Sequence, residues 1–280
     1  MTWRFAGGVA PLVFAAALLG LRPAAAEEIQ CEGVYPYHLQ GVATDGTNIF
    51  WTFTTVLVKT DLKGKVVCKA EIPRGDGHMG DLCVRNGRVF VGMNLGCVKG
   101  CRVGDEVWEY DGATLERLKR YPTPEAAWCN NGVEFFANCF WVITSAPYHC
   151  RYNMVFCYTA DFRFIRCKMI DSGWTNLGVQ TICRYGDKML FGCYGSSNDA
   201  QQPHKSCTLV VNGDDLACRK ARTRNEFDAI VPCERRVEKD SAVGMLVLDG
   251  QLMSAHGIRL SPVEDKQNQR WTARLLPLEL

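Results

Sequence analysis

HLQGVATDGTNIFWTFTTVLVKTDLKGKVVCKAEI, residues 38–72, divides into four short apolar runs: Gln40 to Ala43, Ile49 to Thr54, Val56 to Thr60 and Lys65 to Ile72. Two tight turns lie between them, Asp45-Gly46 and Asp61-Leu62-Lys63-Gly64. Asp/Gly turns of this kind close antiparallel hairpins. A lone four-stranded meander cannot cover both of its faces, so it needs copies of itself as neighbours.

The copies follow in order. The second begins at His78 to Cys83, turns at Asn86-Gly87, and continues through Arg88 to Asn94, Glu106 to Tyr110 and Thr114 to Tyr121. The third has Gly132-Val133, a turn near Ala137-Asn138, then Phe140 to Thr144, Met154 to Tyr158 and Phe162 to Ile170. The fourth has Gly178-Val179, a Gly186-Asp187 turn, Met189 to Tyr194, Thr208 to Val211 and an Asn212-Gly213 turn. The fifth has Gly244-Met245, an Asp249-Gly250 turn, Gln251 to Ala255 and Trp271 to Leu276.

A four-strand unit recurring at about 40 to 50 residues predicts an all-β fold, a β-propeller of four-stranded antiparallel blades. Five repeats predict five blades. The alternative is six, with the extra blade assembled from residues 219–240 and the lead-in 27–37. Gly41, Gly132, Gly178 and Gly244 are expected to relieve crowding where the inner strands approach the axis. No long stretch carries the 3.6-residue period of an amphipathic helix, so helix should be scarce.

The chain has 280 residues, 47% of them hydrophobic, and a formal net charge of +2. That balance offers no electrostatic attraction for nucleic acid or an anionic membrane. The densest charge run, Glu234 to Asp240, alternates in sign and reads as a solvated loop.

Residues 1–26 read as a Sec-type signal peptide: Arg4, an apolar run from Pro11 to Leu21, then Ala24-Ala25-Ala26. An uncleaved anchor is the rival. The expected mature protein is one domain, residues 27–280, secreted or periplasmic and monomeric, with no membrane contact once the leader is removed.

All 15 cysteines follow the leader. An oxidising compartment would let them pair, but an odd number leaves at least one over. The close candidates are Cys97 with Cys101, Cys150 with Cys157, and Cys207 with Cys218. If Asn212-Gly213 is a two-residue turn, Cys207 and Cys218 face one another across the hairpin. Cys83 and Cys183, on inner strands, can equally be buried free thiols.

HLQGVATDGTNIFW, GHMGDLC and LGVQTIC, with the Asp-x-x-Gly hairpins, resemble phrases of secreted bacterial β-propellers, a group loosely related to the NHL and gluconolactonase-like propellers. The resemblance spans about Tyr37 to Leu276 and implies the fold. The calcium-holding residues of gluconolactonase-like enzymes have no matches here, so no activity is implied.

In a propeller, the first residues of the inner strands converge on one mouth of the axial channel, the default ligand site. The residues at those positions are His38, Gln40, His78, Asp81, Asn130, Asn131, Glu134, Asn176, Gln180, Asp240 and Ser241. One reading has His38 and His78, with Asp81 or Glu134, holding a divalent metal or acting as an acid/base pair. The other has these side chains hydrogen-bonding inner-strand backbone and channel water. Trp128 and Trp174 could line the mouth, whereas Trp51 and Trp141 read as core.

Three functions follow. The first is binding of a small molecule, glycan or protein ligand at the mouth. The second is a metal-assisted hydrolase or lyase using the same mouth. The third is an interaction module cross-linked through the odd cysteine.

Overall fold

In the computed structural model, which describes residues 27–96, 104–126, 128–146, 151–195, 205–217, 230–265 and 268–280, every repeat forms a meander in chain order. Two short strands come first, β1 (Ile29–Gln30) and β2 (Tyr35–Pro36). The first repeat is β3 (Leu39–Thr44), β4 (Asn48–Phe53), β5 (Val56–Asp61) and β6 (Val66–Glu71), each within a residue or two of its predicted bounds. The second is β7 (His78–Arg85), β8 (Arg88–Asn94), β9 (Glu106–Asp111) and β10 (Arg117–Pro122). The third is β11 (Asn130–Phe136), β12 (Cys139–Thr144), β13 (Tyr152–Tyr158) and β14 (Phe164–Asp171). The fourth is β15 (Asn176–Tyr185), β16 (Lys188–Tyr194), β17 (Cys207–Asn212) and β18 (Ile230–Val237). The last is β19 (Met245–Leu248), β20 (Gln251–Arg259) and β21 (Arg270–Pro277). The one helix among the described residues is α1 (Gly213–Ala217).

Burial falls off from the first to the fourth strand of a repeat. The first three strands of the first repeat are buried on both faces, whereas β6 alternates half-buried with exposed residues. This explains why the inner strands read as unbroken apolar runs: each is sandwiched between neighbouring sheets. Trp51 and Trp141 occupy matching second-strand positions and are fully buried, as expected. The first strands pack against one another in sequence, β3 beside β7, β7 beside β11, β11 beside β15, β15 beside β19, and β19 back against β3. Those strands come close. A Cβ on Gly41 would lie 2.5 Å from the Asp81 Cα, and one on Gly132 would lie 2.6 Å from the Asp81 Cβ.

The N-terminal lead-in is structural. Ile29 pairs with Leu275 and Tyr35 with Trp271, so β1 and β2 supply the strand missing from the last sheet. Residues set aside for a sixth unit are likewise used elsewhere. β18, drawn from the 219–240 region, pairs antiparallel with β17 and parallel with β14, joining two meanders into one eight-stranded sheet. Much of the charge run from Glu234 therefore lies in a strand and not in a loop.

Asn212-Gly213 does not form the predicted hairpin turn. The Asn212 side chain accepts hydrogen bonds from the Asp214 and Asp215 amides (2.9 and 3.3 Å) and so caps α1. The strand facing β17 comes later, with Thr208 opposite Val237, which removes the geometric argument for pairing Cys207 with Cys218. Cys97, Cys101, Cys150 and Cys218 lie outside the described residues, as do residues 1–26, the expected leader. Among the described residues no cysteine is in a disulfide, and no helix is long and apolar enough to cross a membrane.

Candidate binding site at the axial mouth

Each inner strand begins with backbone in the left-handed region. Tyr37 (φ 63°) precedes His38, Gly77 (155°) precedes His78, and Cys129 (74°) precedes Asn130. Leu177 (59°) lies at the start of β15 and Gly244 (139°) just before β19. For Tyr, Cys and Leu this conformation costs energy, and such strain collects at sites that the surrounding fold over-determines. Here it recurs at all five inner-strand starts.

The side chains placed there divide into two kinds. Structural clasps form the larger group. Asp105, just before β9, accepts the Leu95 amide at 2.8 Å and the Asn130 amide at 2.7 Å. Asn153, in β13, accepts the Val179 amide at 3.1 Å and donates to Ser172. Thr208, in β17, shares a 2.7 Å hydrogen bond with Ser241, whose carbonyl accepts from Thr181. In the second, third and fourth repeats the start of the third strand thus ties the next repeat's inner strand. No local motif marked Asp105, Asn153 and Thr208, and their shared position in the repeat was the available signal.

Several predicted site residues serve the same end. Asn131 donates to Ser145 Oγ (2.9 Å) and to the Val179 carbonyl (2.8 Å). Asn176 donates to the Gly195 carbonyl (3.3 Å) and Gln180 to the Leu177 carbonyl (2.9 Å). Asp240 is exposed and accepts from the Ala242 amide. Trp128 and Trp174 are partly exposed.

The two histidines do come together. Their ring centroids are 6.1 Å apart in an edge arrangement, with Trp271 5.9 Å from His38 on another side. Gln40 Nε2 lies 2.5 Å from His38 Nε2. With the amide donating, the imidazole nitrogen accepts and its proton sits on Nδ1. Burial, and next the neighbouring His78, push the His38 pKa down to about 4, so this ring is neutral near pH 7. His78 Nε2 is buried and has no hydrogen-bond partner. His256 is half-buried against Ser254 Oγ (2.9 Å), and its pKa is lowered, chiefly by burial.

Neither carboxylate joins them. Asp81 is fully buried inside the ring, where Oδ2 accepts the Ile182 amide at 2.8 Å. Burial raises its pKa well above the usual carboxylate range. The Ile182, Leu82 and Val42 amides oppose that shift, although Oδ1 has no partner of hydrogen-bonding geometry. Glu134 lies toward the opposite end of the inner strands. There it accepts the Phe135 amide (2.7 Å) and lines a cavity of about 140 Å³ with Thr44, Cys83, Cys183 and Arg184. Burial pushes its pKa up to about 7. The expected grouping of His38 and His78 with Asp81 or Glu134 is therefore corrected, because strand direction carries the acids away from the imidazoles. Among the described residues no three His, Cys, Asp or Glu side chains form a group able to hold a metal ion.

No protein-family model matches the chain, and no curated protein matches its sequence. Solved structures of propeller type do match. Glutaminyl cyclase from Myxococcus xanthus is similar over 90% of this chain and 98% of its own, with TM-score 0.51 and 11% identity. An exo-β-1,3-galactanase from Phanerochaete chrysosporium, solved with β-1,3-galactotriose, is similar over 90% of this chain and 65% of its own, with TM-score 0.54 and 8% identity. Likeness at such identities concerns the fold. The sheets, their order around the ring and these neighbours make the chain a β-propeller.

Proposed function

We propose that this is an exported, monomeric, five-bladed propeller that binds a small neutral polar ligand at the mouth marked by His38, Gln40 and His78. Five inner strands in cyclic contact support the blade count, with β1 and β2 completing the fifth blade. One observation carries the site: two imidazoles in edge contact, of which His78 keeps a buried ring nitrogen free, lie where the strand starts are strained. An unpaired buried polar atom costs free energy that a ligand's hydrogen bond would recover.

Binding is favoured over proton transfer by the chemistry of His38. A base with a pKa about 4 is always unprotonated near neutrality but too weak to pull a proton efficiently. The second reading, an enzyme at the same mouth, draws on the neutral imidazole beside Gln40. Its metal-assisted form has only two imidazoles to offer among the described residues. An interaction module is the remaining alternative.

Calorimetric titration of the mature protein with β-1,3-galactotriose and with a peptide carrying N-terminal glutamine tests the site. The names of the two structural neighbours suggest these probes. Saturable binding lost in folded His78→Ala and Gln40→Ala variants is expected. Binding that survives both changes, or the absence of binding by either probe, counts against this reading. Ammonia release from the glutaminyl peptide would favour the enzyme.

A further inference from the structure

Cys193 and Cys207 are directly opposed residues on β16 and β17, at the last register pair of that ladder. Opposed residues in an antiparallel pair have Cα atoms roughly 4.5–5.5 Å apart, inside the range that a disulfide spans. Both side chains are fully buried, and the Cys193 thiol is placed to hydrogen-bond the Cys207 sulfur. That bond and the Arg236 guanidinium nearby make the Cys207 proton the easier of the two to lose, while the Cys193 thiol is pushed up. Cys233 does not compete. It sits opposite Val211, four residues along β17 from Cys207, whereas Cys193 is directly opposite Cys207.

We propose that Cys193 and Cys207 are an oxidation site, joined by a cross-strand disulfide when the chain folds in an oxidising compartment. The oxidant is a disulfide, either of a protein exchange catalyst or of glutathione. The thiolate of one cysteine attacks an oxidant sulfur, forming a mixed disulfide and releasing one oxidant thiolate. The second cysteine's thiolate then attacks the sulfur of its partner, which closes the Cys193–Cys207 bond and releases the second oxidant thiolate. Two electrons pass to the oxidant, and the two cysteine protons end on its thiols. Because both sulfurs are buried in the folded sheet, the exchange belongs to a stage before the neighbouring blades close. The finished bond is then shielded from reductant. It also pins β16 to β17 at the end where the inner strands begin, which ties it to the binding mouth.

The test uses the mature protein refolded with glutathione disulfide, its free thiols blocked under denaturing conditions before proteolysis. Mass spectrometry of the unreduced digest should find the Cys193 and Cys207 peptides linked. The link should resist dithiothreitol in the native protein and yield to it in guanidinium. Separate, blocked Cys193 and Cys207 peptides, or Cys207 linked to Cys218 instead, would overturn the proposal. If the Cys193→Ala/Cys207→Ala variant folds, it should melt lower than the oxidised parent by roughly 5–10 °C. Equal melting would also count against the bond. If the variant does not fold, the peptide map of the parent decides.

Discussion

The Asp81 carboxylate, on the second repeat, accepts the backbone N–H of Ile182, on the fourth, at 2.8 Å and across 101 residues of sequence. The bond reaches over the axis of the ring and leaves Oδ1 without a partner. Its position explains the two glycines beside it, since Gly41 and Gly132 leave the space that Asp81 fills.

Replacing Asp81 separates its charge from its shape. Asp81→Asn keeps an acceptor for the Ile182 amide and removes a buried ionisable group. Its stability should match or exceed the parent's, the more so at high pH. The sign follows from the raised pKa: a carboxyl held protonated by the fold favours the native state at low pH, and that advantage fades as pH rises. Asp81→Ala strands the amide and opens a void, costing about 2–4 kcal/mol. Guanidinium unfolding of the three proteins at several pH values is the check.

Glu134 and His38 should give opposite pH dependences. The Glu134 carboxyl moves from 4.5 to about 7, so its contribution is present below about pH 4.5 and lost as pH rises through 7. The His38 imidazole moves from 6.5 to about 4, so its contribution is present above about pH 6.5 and lost as pH falls through 4. Relative to the parent, Glu134→Gln should gain stability with rising pH, approaching about 3 kcal/mol above pH 7. His38→Gln should gain by a similar amount toward pH 4. Parallel unfolding curves for parent and variants at every pH would refute both shifts.

Gly41→Ala tests how closely the inner strands approach. The added carbon would meet Asp81 backbone at 2.5 Å, which no side-chain rotation relieves. The expected cost is about 2–4 kcal/mol, or failure to fold. Gly46→Ala, whose Cβ would meet nothing within 4 Å, should lose less even though its φ is 85°. Thermal melts of the two proteins side by side decide the order.

Removing residues 27–36 tests ring closure. β21 would lose its partners at Leu275, Arg274 and Trp271, and Thr272 would lose the Cys31 carbonyl it donates to at 3.0 Å. A protein beginning at Tyr37 should aggregate or unfold at lower denaturant, because an edge strand would stand open. Undiminished monomer stability would mean that the ring does not depend on this clasp.

Metal content is a separate question. The binding reading expects the purified mature protein to carry no stoichiometric divalent metal. Elemental analysis that finds one per chain, and its loss in His78→Ala, would revive the metal-assisted alternative.

The strands of the first repeat, the hairpins at Asn86-Gly87 and Asp249-Gly250 and the buried Trp51 and Trp141 were all legible in the sequence. Apolar runs and turn chemistry are local, and a propeller repeats them. The fourth and fifth repeats mark the limits. The same local signs made Asn212-Gly213 look like a hairpin turn, while the fold uses Asn212 to cap a short helix. Nothing near Ile29 showed that it pairs with Leu275, because that contact joins opposite ends of the chain.

The candidate site divides along the same line. Sequence position alone brought His38 and His78 to one mouth, since each opens an inner strand. It could not say that Asp81 turns into the ring while Glu134 faces the other end, or that Cys207 lies against Cys193. Those outcomes depend on side-chain direction and on which strands become neighbours, and both are set by long-range packing that no local run of residues encodes.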